Sequence, residues 1–150
     1  MRSFIKIMCL FVLFVCLDAQ LTQADDSIGV IKKINGAATV VRGKNEYKVN
    51  IGTPVFMKDI LKTDNTGSLG IRFKDNTMIS VGSNTVYTID EYVYQPNEQK
   101  LSFVSKITKG TLHFVSGNLT KLAPDAVKVK TPEATIGFRG TRFLVKVEDY

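Results

Sequence analysis

The chain is poor in the residues that build most chemical sites. In 150 residues it has two cysteines, Cys9 and Cys16, and one histidine, His113. Both cysteines lie in one apolar run near the N-terminus, so once that run is removed no disulfide and no cysteine-bound metal remains. A single histidine makes no common zinc site unless several carboxylates converge on it, and neither HExxH nor any paired-histidine spacing occurs. Calcium loops of the DxDxDG type and GxSxG nucleophile elbows are also absent. The apolar run IMCLFVLFVCL, residues 7–17, is eleven residues long, whereas a helix needs about 20 to span a bilayer. No run of lysine or arginine argues for nucleic acid. After the first 24 residues no apolar i, i+3, i+4, i+7 pattern lasts three turns. The expectation is a protein with no catalytic residue, no metal and no cofactor.

What is present starts with that run. Arg2 and Lys6 stand at its head, and Thr22-Gln23-Ala24 follows with small residues at the two positions that a signal peptidase inspects. This layout predicts a secretory signal peptide cleaved near Ala24, so that the chain meets a membrane only before cleavage. Lipidation at Cys16 is disfavoured, because Val15 stands where that signal wants a small residue. The expected organisation is residues 1–24 as signal peptide, 25–27 as a flexible lead-in and 28–150 as one domain. Removing 24 of the 150 residues leaves 126, enough for one core without staples. Arg2, Lys6 and Asp18 leave with them, so 18 cationic and 13 anionic residues remain, a net charge of +5. That modest excess keeps a surface solvated, and at low salt it favours anionic lipids, glycans or cell-wall polymers.

From Ser27 onward, glycine, asparagine or aspartate recurs every eight to twelve residues between segments rich in Val, Ile, Thr, Phe and Tyr, the signature of many short strands. Leu69, Ile71 and Phe73 alternate with Gly70 and Arg72, so one face is expected to be buried. The same period recurs at Tyr47, Val49 and Ile51; Leu101 and Phe103; Leu112 and Phe114; Val127 and Val129; and Phe143, Val145 and Val147. Turn chemistry stands at Asn35-Gly36, Gly43-Lys44, Asp64-Asn65-Thr66-Gly67, Asp75-Asn76, Gly82-Ser83-Asn84, Pro96-Asn97 and Gly117-Asn118. Pro124 and Pro132 bracket a strand over residues 127–130. The fold class is all-β: one domain of about ten to twelve short strands, either β-solenoid-like or a rolled β-sandwich, with no substantial helix beyond the signal peptide. Residues 68–80 and 100–115 read as variants of one strand-turn-strand unit. Gly36, Gly52, Gly67, Gly110 and Gly140 are expected to hold turns, and a β-branched residue at Gly140 is expected to strain one.

Candidate chemistry is sparse. Alternation sets His113 on the face opposite Leu112 and Phe114, and a Ser/His/Asp set drawn from His113, a serine and Asp75 or Asp90 is expected by chance. Gly137-Phe138-Arg139-Gly140 leads into a strand, not the helix that a phosphate cradle needs. Arg139, Arg142 and Lys146 lie close in sequence as an anionic contact or as strand-surface charges. Tyr92 and Tyr94 share a strand face, which suits sugar stacking or cross-strand packing. Asn118-Leu119-Thr120 matches a glycosylation acceptor.

Taken in order, Gly36-Ala37-Ala38-Thr39-Val40, Gly52-Thr53-Pro54-Val55, Asp59-Ile60-Leu61-Lys62-Thr63, Asp75-Asn76, Gly110-Thr111-Leu112, Thr131-Pro132-Glu133-Ala134 and Arg139-Gly140-Thr141-Arg142-Phe143 form a recognisable series. It resembles the FecR-type periplasmic domain of bacteria over residues 28–147. Asp75 matches the family's Asp-Gly turn, with Asn76 replacing glycine. The resemblance implies an all-β, solenoid-like periplasmic domain without catalytic residues, in which Gly36, Gly52, Asp59, Thr63, Asp75, Gly110, Thr131, Pro132, Arg139, Gly140, Thr141 and Phe143 carry the motif. In the best-known members that domain relays the state of an outer-membrane transporter to a cytoplasmic sigma factor. This chain is expected to depart from them in lacking a sigma-binding region, a retained membrane helix and the further signalling domain that they carry after the strand matching residues 142–147. The expectation is a stand-alone periplasmic module that binds an envelope protein, with envelope signalling as its setting. The alternative is a glycan- or peptidoglycan-binding module, with Tyr92, Tyr94 and Arg142 as its surface.

Overall fold

Alternation fixes which way each strand faces, and glycines fix where the strands bend. The structure, a computed structural model, describes residues 26–137 and 139–148; the expected signal peptide with both cysteines, Asp25, Phe138, Asp149 and Tyr150 lie outside the described residues. Twelve strands are present among them: β1 (Gly29–Asn35), β2 (Ala38–Arg42), β3 (Asn45–Lys48), β4 (Pro54–Val55), β5 (Ile60–Thr63), β6 (Ser68–Phe73), β7 (Met78–Val81), β8 (Val86–Gln95), β9 (Lys100–Val115), β10 (Val127–Lys130), β11 (Thr135–Gly137) and β12 (Arg142–Val147). One short helix, α1 (Asn118–Leu122), and single 3-10 turns at Pro96–Glu98 and Pro124–Ala126 complete the elements of the described residues. The fold is all-β, and of the two expected forms it is the rolled one.

The strands form one curled sheet in the order β3-β2-β5-β8-β9-β7-β6-β1-β4. Every pair in that path is antiparallel. β10 adds parallel to β9, β11 adds to β10, and β12 adds antiparallel to β9. The sheet divides into two halves, one containing β2, β3, β5, β8, β10 and β11, the other β1, β4, β6, β7 and β12. Only β9 runs through both without a break. Residues 100–115 are therefore one 16-residue strand, not the second strand-turn-strand unit that their pattern suggested. At Gly110 the backbone takes φ 95° and bends the strand across the two halves without ending it.

The other long strands bend at the same level. β1 passes to β2 at residues 36–37, β5 to β6 at 64–67 and β7 to β8 at 82–85, and each passage crosses from one half to the other. Three of the expected turns are thus corners. The corners are laced together: Asp64 N–H donates to Ala37 O (3.1 Å), Asn84 N–H to Asp64 O (2.8 Å) and Gly82 N–H to Thr111 O (2.9 Å). True hairpins link β2 to β3 at Gly43 (φ 60°) and β6 to β7 at Asn76 (φ 65°). The second shows that asparagine accepts the left-handed conformation that glycine ordinarily supplies.

The core lies inside the curl. Leu69, Ile71 and Phe73 are each 2% exposed, with Arg72 outside as expected. An aromatic chain runs through it: Tyr92 and Phe103 both pack on Phe73 (centroids 5.4 and 4.8 Å), Phe103 meets Phe114 (5.8 Å), and Phe114 stacks on Phe143 (5.0 Å). These rings tie β6, β8, β9 and β12 together, and truncating a buried phenylalanine among them costs about 3–5 kcal/mol. One predicted stretch fails. Tyr47 and Ile51 are exposed while Val49 is buried, because β3 is an edge strand with both faces in solvent and Ile51 lies in the turn before β4.

Candidate functional site

The motif residues fall into two groups, and the larger is scaffold. Asp59 is fully buried between β4 and β5, where Arg42, at the end of β2, grips both of its oxygens (2.8 Å each) and the Phe56 N–H donates to it (2.9 Å). Arg42 also covers the Phe56 ring at 4.2 Å. Hydrogen bonding to Asp59 holds the guanidinium pKa above its ordinary value. Thr63 accepts the Thr85 N–H (3.0 Å) and donates to Gly82 O (2.6 Å), and Thr85 Oγ1 accepts the Thr111 N–H (3.0 Å). Beside them a side chain on Gly110 would collide with Thr85.

Asp75 is the densest of these points. Fully buried in the β6–β7 turn, it accepts hydrogen bonds from Tyr92 Oη (2.9 Å), Thr77 Oγ1 (2.6 Å) and the Leu119 N–H (3.1 Å). Its own N–H donates back to Tyr92 Oη (3.0 Å), and its carbonyl takes the Asn118 N–H (2.7 Å). Gly117 N–H meanwhile donates to Thr77 Oγ1 (3.1 Å), with no room for a side chain between them. One carboxylate therefore pins β8, the β6–β7 turn and α1 together. Burial first, and the Asp75 charge second, push the Tyr92 phenol above its ordinary range.

This corrects the sugar-stacking expectation. Tyr92 is 7% exposed and Tyr94 packs against the core. The cause is a bulge at Asp90, between the pairs Ile89↔Ser105 and Glu91↔Val104. The extra residue moves the inward phase from Tyr87 and Ile89 to Tyr92 and Tyr94. The glycosylation match is likewise folded into α1, where Leu119 is fully buried and Thr120 is 6% exposed. His113 faces outward, half-buried and opposite Ser80 and Leu144. Among the described residues no hydrogen bond joins it to Ser80, and Asp75 is committed to the interior. Among them, too, no group of three or more His, Cys, Asp or Glu residues is arranged to hold a metal.

Gly140 lies outside the left-handed region, and a Cβ there meets nothing within 4 Å, so the strained turn expected at this position is absent. Gly67 also lacks positive φ, but a Cβ there would strike Ala37 O at the corner. Gly36 (φ 63°) and Gly52 (φ 91°) do adopt the conformation expected of them.

Phe143 belongs with the scaffold through its stacking on Phe114, and the second group, the motif residues from Thr131 to Thr141, stays at the surface. Thr131 closes the β10–β11 turn, donating its N–H to Ala134 O (2.8 Å) and accepting the Ala134 N–H on Oγ1 (3.0 Å), with Pro132 exposed at the tip. Arg139 pairs with Asp125 (3.3 Å) in full solvent. Thr141 O receives the Ser116 N–H (2.9 Å), which fixes the start of β12.

This segment forms an open seam. Thr111 O takes the Gly82 N–H while its own N–H donates to Thr85, so β7 and β8 follow one another along one edge of β9. β10 and β12 share the opposite edge, pairing with residues 103–106 and 110–115, and they part at Thr108. Beyond the fork, among the described residues, β11 pairs only with β10 and β12 only with β9. A groove lies between them, with Ile136, Val145 and Val147 on its apolar side and Glu133, Lys146 and Glu148 at its rim. The alternation of residues 143–147 was legible in sequence; the fork that exposes their edge was not, because it depends on β9 serving two partners in turn.

No curated protein matches the chain. A solved structure described as a "Cell surface anchoring domain" aligns at 31% identity, covering 40% of this chain and 80% of that one, with a TM-score of 0.39. The family model described as "FecR protein" matches residues 59–150, from the buried Asp59 through the seam. That span exceeds half of the chain and carries both the Asp75 hub and the surface segment, and the chain belongs to the FecR family.

Proposed function

We propose that this protein is a non-catalytic, exported module that binds another protein of the bacterial cell envelope and takes an extended segment of it at the seam between β11 and β12, within envelope signalling. The FecR family is one of regulatory and signalling proteins, which supports binding over catalysis. The observation that carries the reading is the seam itself: two strand edges, each paired on one side only among the described residues, flank a groove with an apolar side. An added strand would gain main-chain hydrogen bonds along an edge and seat alternate side chains against Ile136, Val145 and Val147. The charges of Glu133, Lys146 and Glu148 at the rim discourage indiscriminate edge pairing, as charged edges do elsewhere. Export with cleavage near Ala24 belongs to the same proposal, and N-terminal sequencing of the mature protein tests it. The buried Tyr92 leaves the glycan reading without its stacking surface.

The test is photo-crosslinking in the producing cell, with a photoreactive amino acid at Ile136 or Val147 and, for comparison, at Tyr47 on the opposite edge strand β3. The expected result is a discrete protein adduct from the two seam positions and none from Tyr47. Adducts of equal yield from all three positions, or none from the seam in a folded protein, overturn the proposal.

A further inference from the structure

The two halves of the sheet differ in the charge they turn to solvent. On the half built from β1, β4, β6, β7 and β12, with the second part of β9, cross-strand registers place the outward residues in rows. One row runs Val30, Arg72, Met78, Val115, Arg142, and the next runs Lys33, Gly70, Ser80, His113, Leu144. A Cβ on Gly70 would contact Lys33 and Ser80, which confirms that the second row shares one face. The centre of the face is apolar and raised: Met78 is 49% exposed and Leu144 65%, with half-buried Val115 between them. The charges in these rows, Lys33, Arg72 and Arg142, are all positive, and among the described residues none of the three pairs with a carboxylate. Arg72 spends its guanidinium on the neutral Asn76 side chain (2.7 Å). The outward face of the other half has carboxylates among its cations, with Glu46 beside Lys62 and Asp90 beside Lys130, whereas on this half the pair Lys146–Glu148 stands beyond the two rows, at the end of β12.

We infer that this face docks on an anionic phospholipid surface. Its form suits a bilayer better than a single macromolecular ligand: the face is open, and Arg72 and Arg142 stand three strand spacings apart, ~14 Å. Aliphatic side chains project between the cations, so they reach the headgroup boundary while the charges remain at phosphate level. Each cation held near an anionic membrane strengthens binding by about fivefold, equivalent to ~1 kcal/mol, an effect screened over about 10 Å at 0.1 M salt. The seam lies at the edge of this half, so a docked molecule keeps β12 beside the membrane. The inference is independent of what the seam binds.

The test uses the chain as processed by the producing cell, sedimented with vesicles of phosphatidylglycerol and phosphatidylcholine and with vesicles of phosphatidylcholine alone. Four proteins are compared: wild type; the face variant Lys33→Gln, Arg72→Gln, Arg142→Gln; a variant of equal net charge, Lys106→Gln, Lys128→Gln, Lys130→Gln, on the other half; and the apolar variant Met78→Ser, Leu144→Ser. The expected result is binding to anionic vesicles that falls about a hundredfold in the face variant and less than fivefold in the other charge variant, and that weakens steeply at 0.5 M salt. The apolar variant also weakens binding, without changing the salt dependence. Equal losses in the two charge variants reduce the effect to net charge and overturn the inference, as does equal binding to neutral vesicles. Absence of vesicle binding, with capture of an acidic envelope protein lost in the face variant alone, overturns it in favour of a protein partner. Melting temperatures within about 2 °C of wild type establish that the variants fold, and unchanged crosslinking from Ile136 keeps the seam proposal separate.

Discussion

Tyr92→Phe removes one oxygen from the interior and should be disproportionately costly. That oxygen donates to Asp75 Oδ1 at 2.9 Å and accepts the Asp75 N–H at 3.0 Å, so its loss strips the buried carboxylate of a donor and leaves a main-chain N–H without its partner. A hydrogen bond to a carboxylate is worth about 1.5–3 kcal/mol and an orphaned buried donor costs about 1–3 kcal/mol; because the two losses overlap, the sum is about 2–4 kcal/mol. In a domain of this size, at about 4 °C per kcal/mol, the melting temperature falls by roughly 8–16 °C. Tyr87→Phe is the matched comparison. Tyr87 is fully buried in the same strand, but its hydroxyl and the neighbouring Ser105 Oγ lack a well-formed hydrogen bond among the described residues. Removing that hydroxyl should change stability by less than about 1 kcal/mol, in the stabilising direction if at all. Thermal melts and urea titrations followed by circular dichroism are the assay, since the chain has no tryptophan. A Tyr92→Phe protein that melts within 2 °C of wild type, or equal losses in the two variants, would refute the assignment of Asp75 as a hub.

The remaining predictions concern the same framework. Gly110→Val combines left-handed strain with a collision against Thr85 and should cost about 3 kcal/mol or more, whereas Gly140→Val should be close to neutral in a urea titration. Arg42→Met leaves Asp59 buried without its cation and should cost roughly 3 kcal/mol, the low end for such pairs because the Arg42 side chain is 40% exposed; adding Asp59→Asn should restore part of the loss, and strict additivity would count against the pair. In the native protein burial pushes the Tyr87 and Tyr92 phenols above their ordinary range, with the Asp75 charge adding to the shift at Tyr92. The unfolded chain releases those protons near pH 10, so their contribution is complete below pH 10 and is lost as pH rises above it, by up to ~1.4 kcal/mol per pH unit for each tyrosine. Urea midpoints at pH 9, 10 and 11 check this, and an equally steep decline in the Tyr87→Phe, Tyr92→Phe double variant would contradict it.

Much of the framework was legible in sequence because it follows from period and turn chemistry. Leu69, Ile71 and Phe73, the strand at residues 127–130 and the positive φ of Asn76 are local consequences of residue type. What escaped is non-local. The Asp90 bulge reverses the facing of Tyr92 and Tyr94, and no residue near Asp90 announces it. Arg42 and Asp59 are 17 residues apart, so only the pairing of β2 with β5 shows that they meet. Tyr47 and Ile51 keep the right spacing but lie at an edge, where alternation buries nothing.

The corners explain why the glycines and threonines of this chain fall where they do. A hairpin turn needs only a residue that tolerates its dihedral angles; a corner also needs the next strand's corner to fit against it. Gly36 and Gly67 face each other's backbone, and Gly110 faces Thr85, so at each step one chain yields space to its neighbour and the freed backbone groups bond across, as in Asp64 N–H to Ala37 O. A substitution at one corner is therefore transmitted to the next, and substitutions at Gly67 and Gly36 should be strongly non-additive. The row ends at Gly110, because the opposite edge of β9 carries no bent strand but β10 and β12 as separate pieces. The seam is thus where the corner series stops: with no bent strand to cross there, the sheet leaves the β11 and β12 edges open.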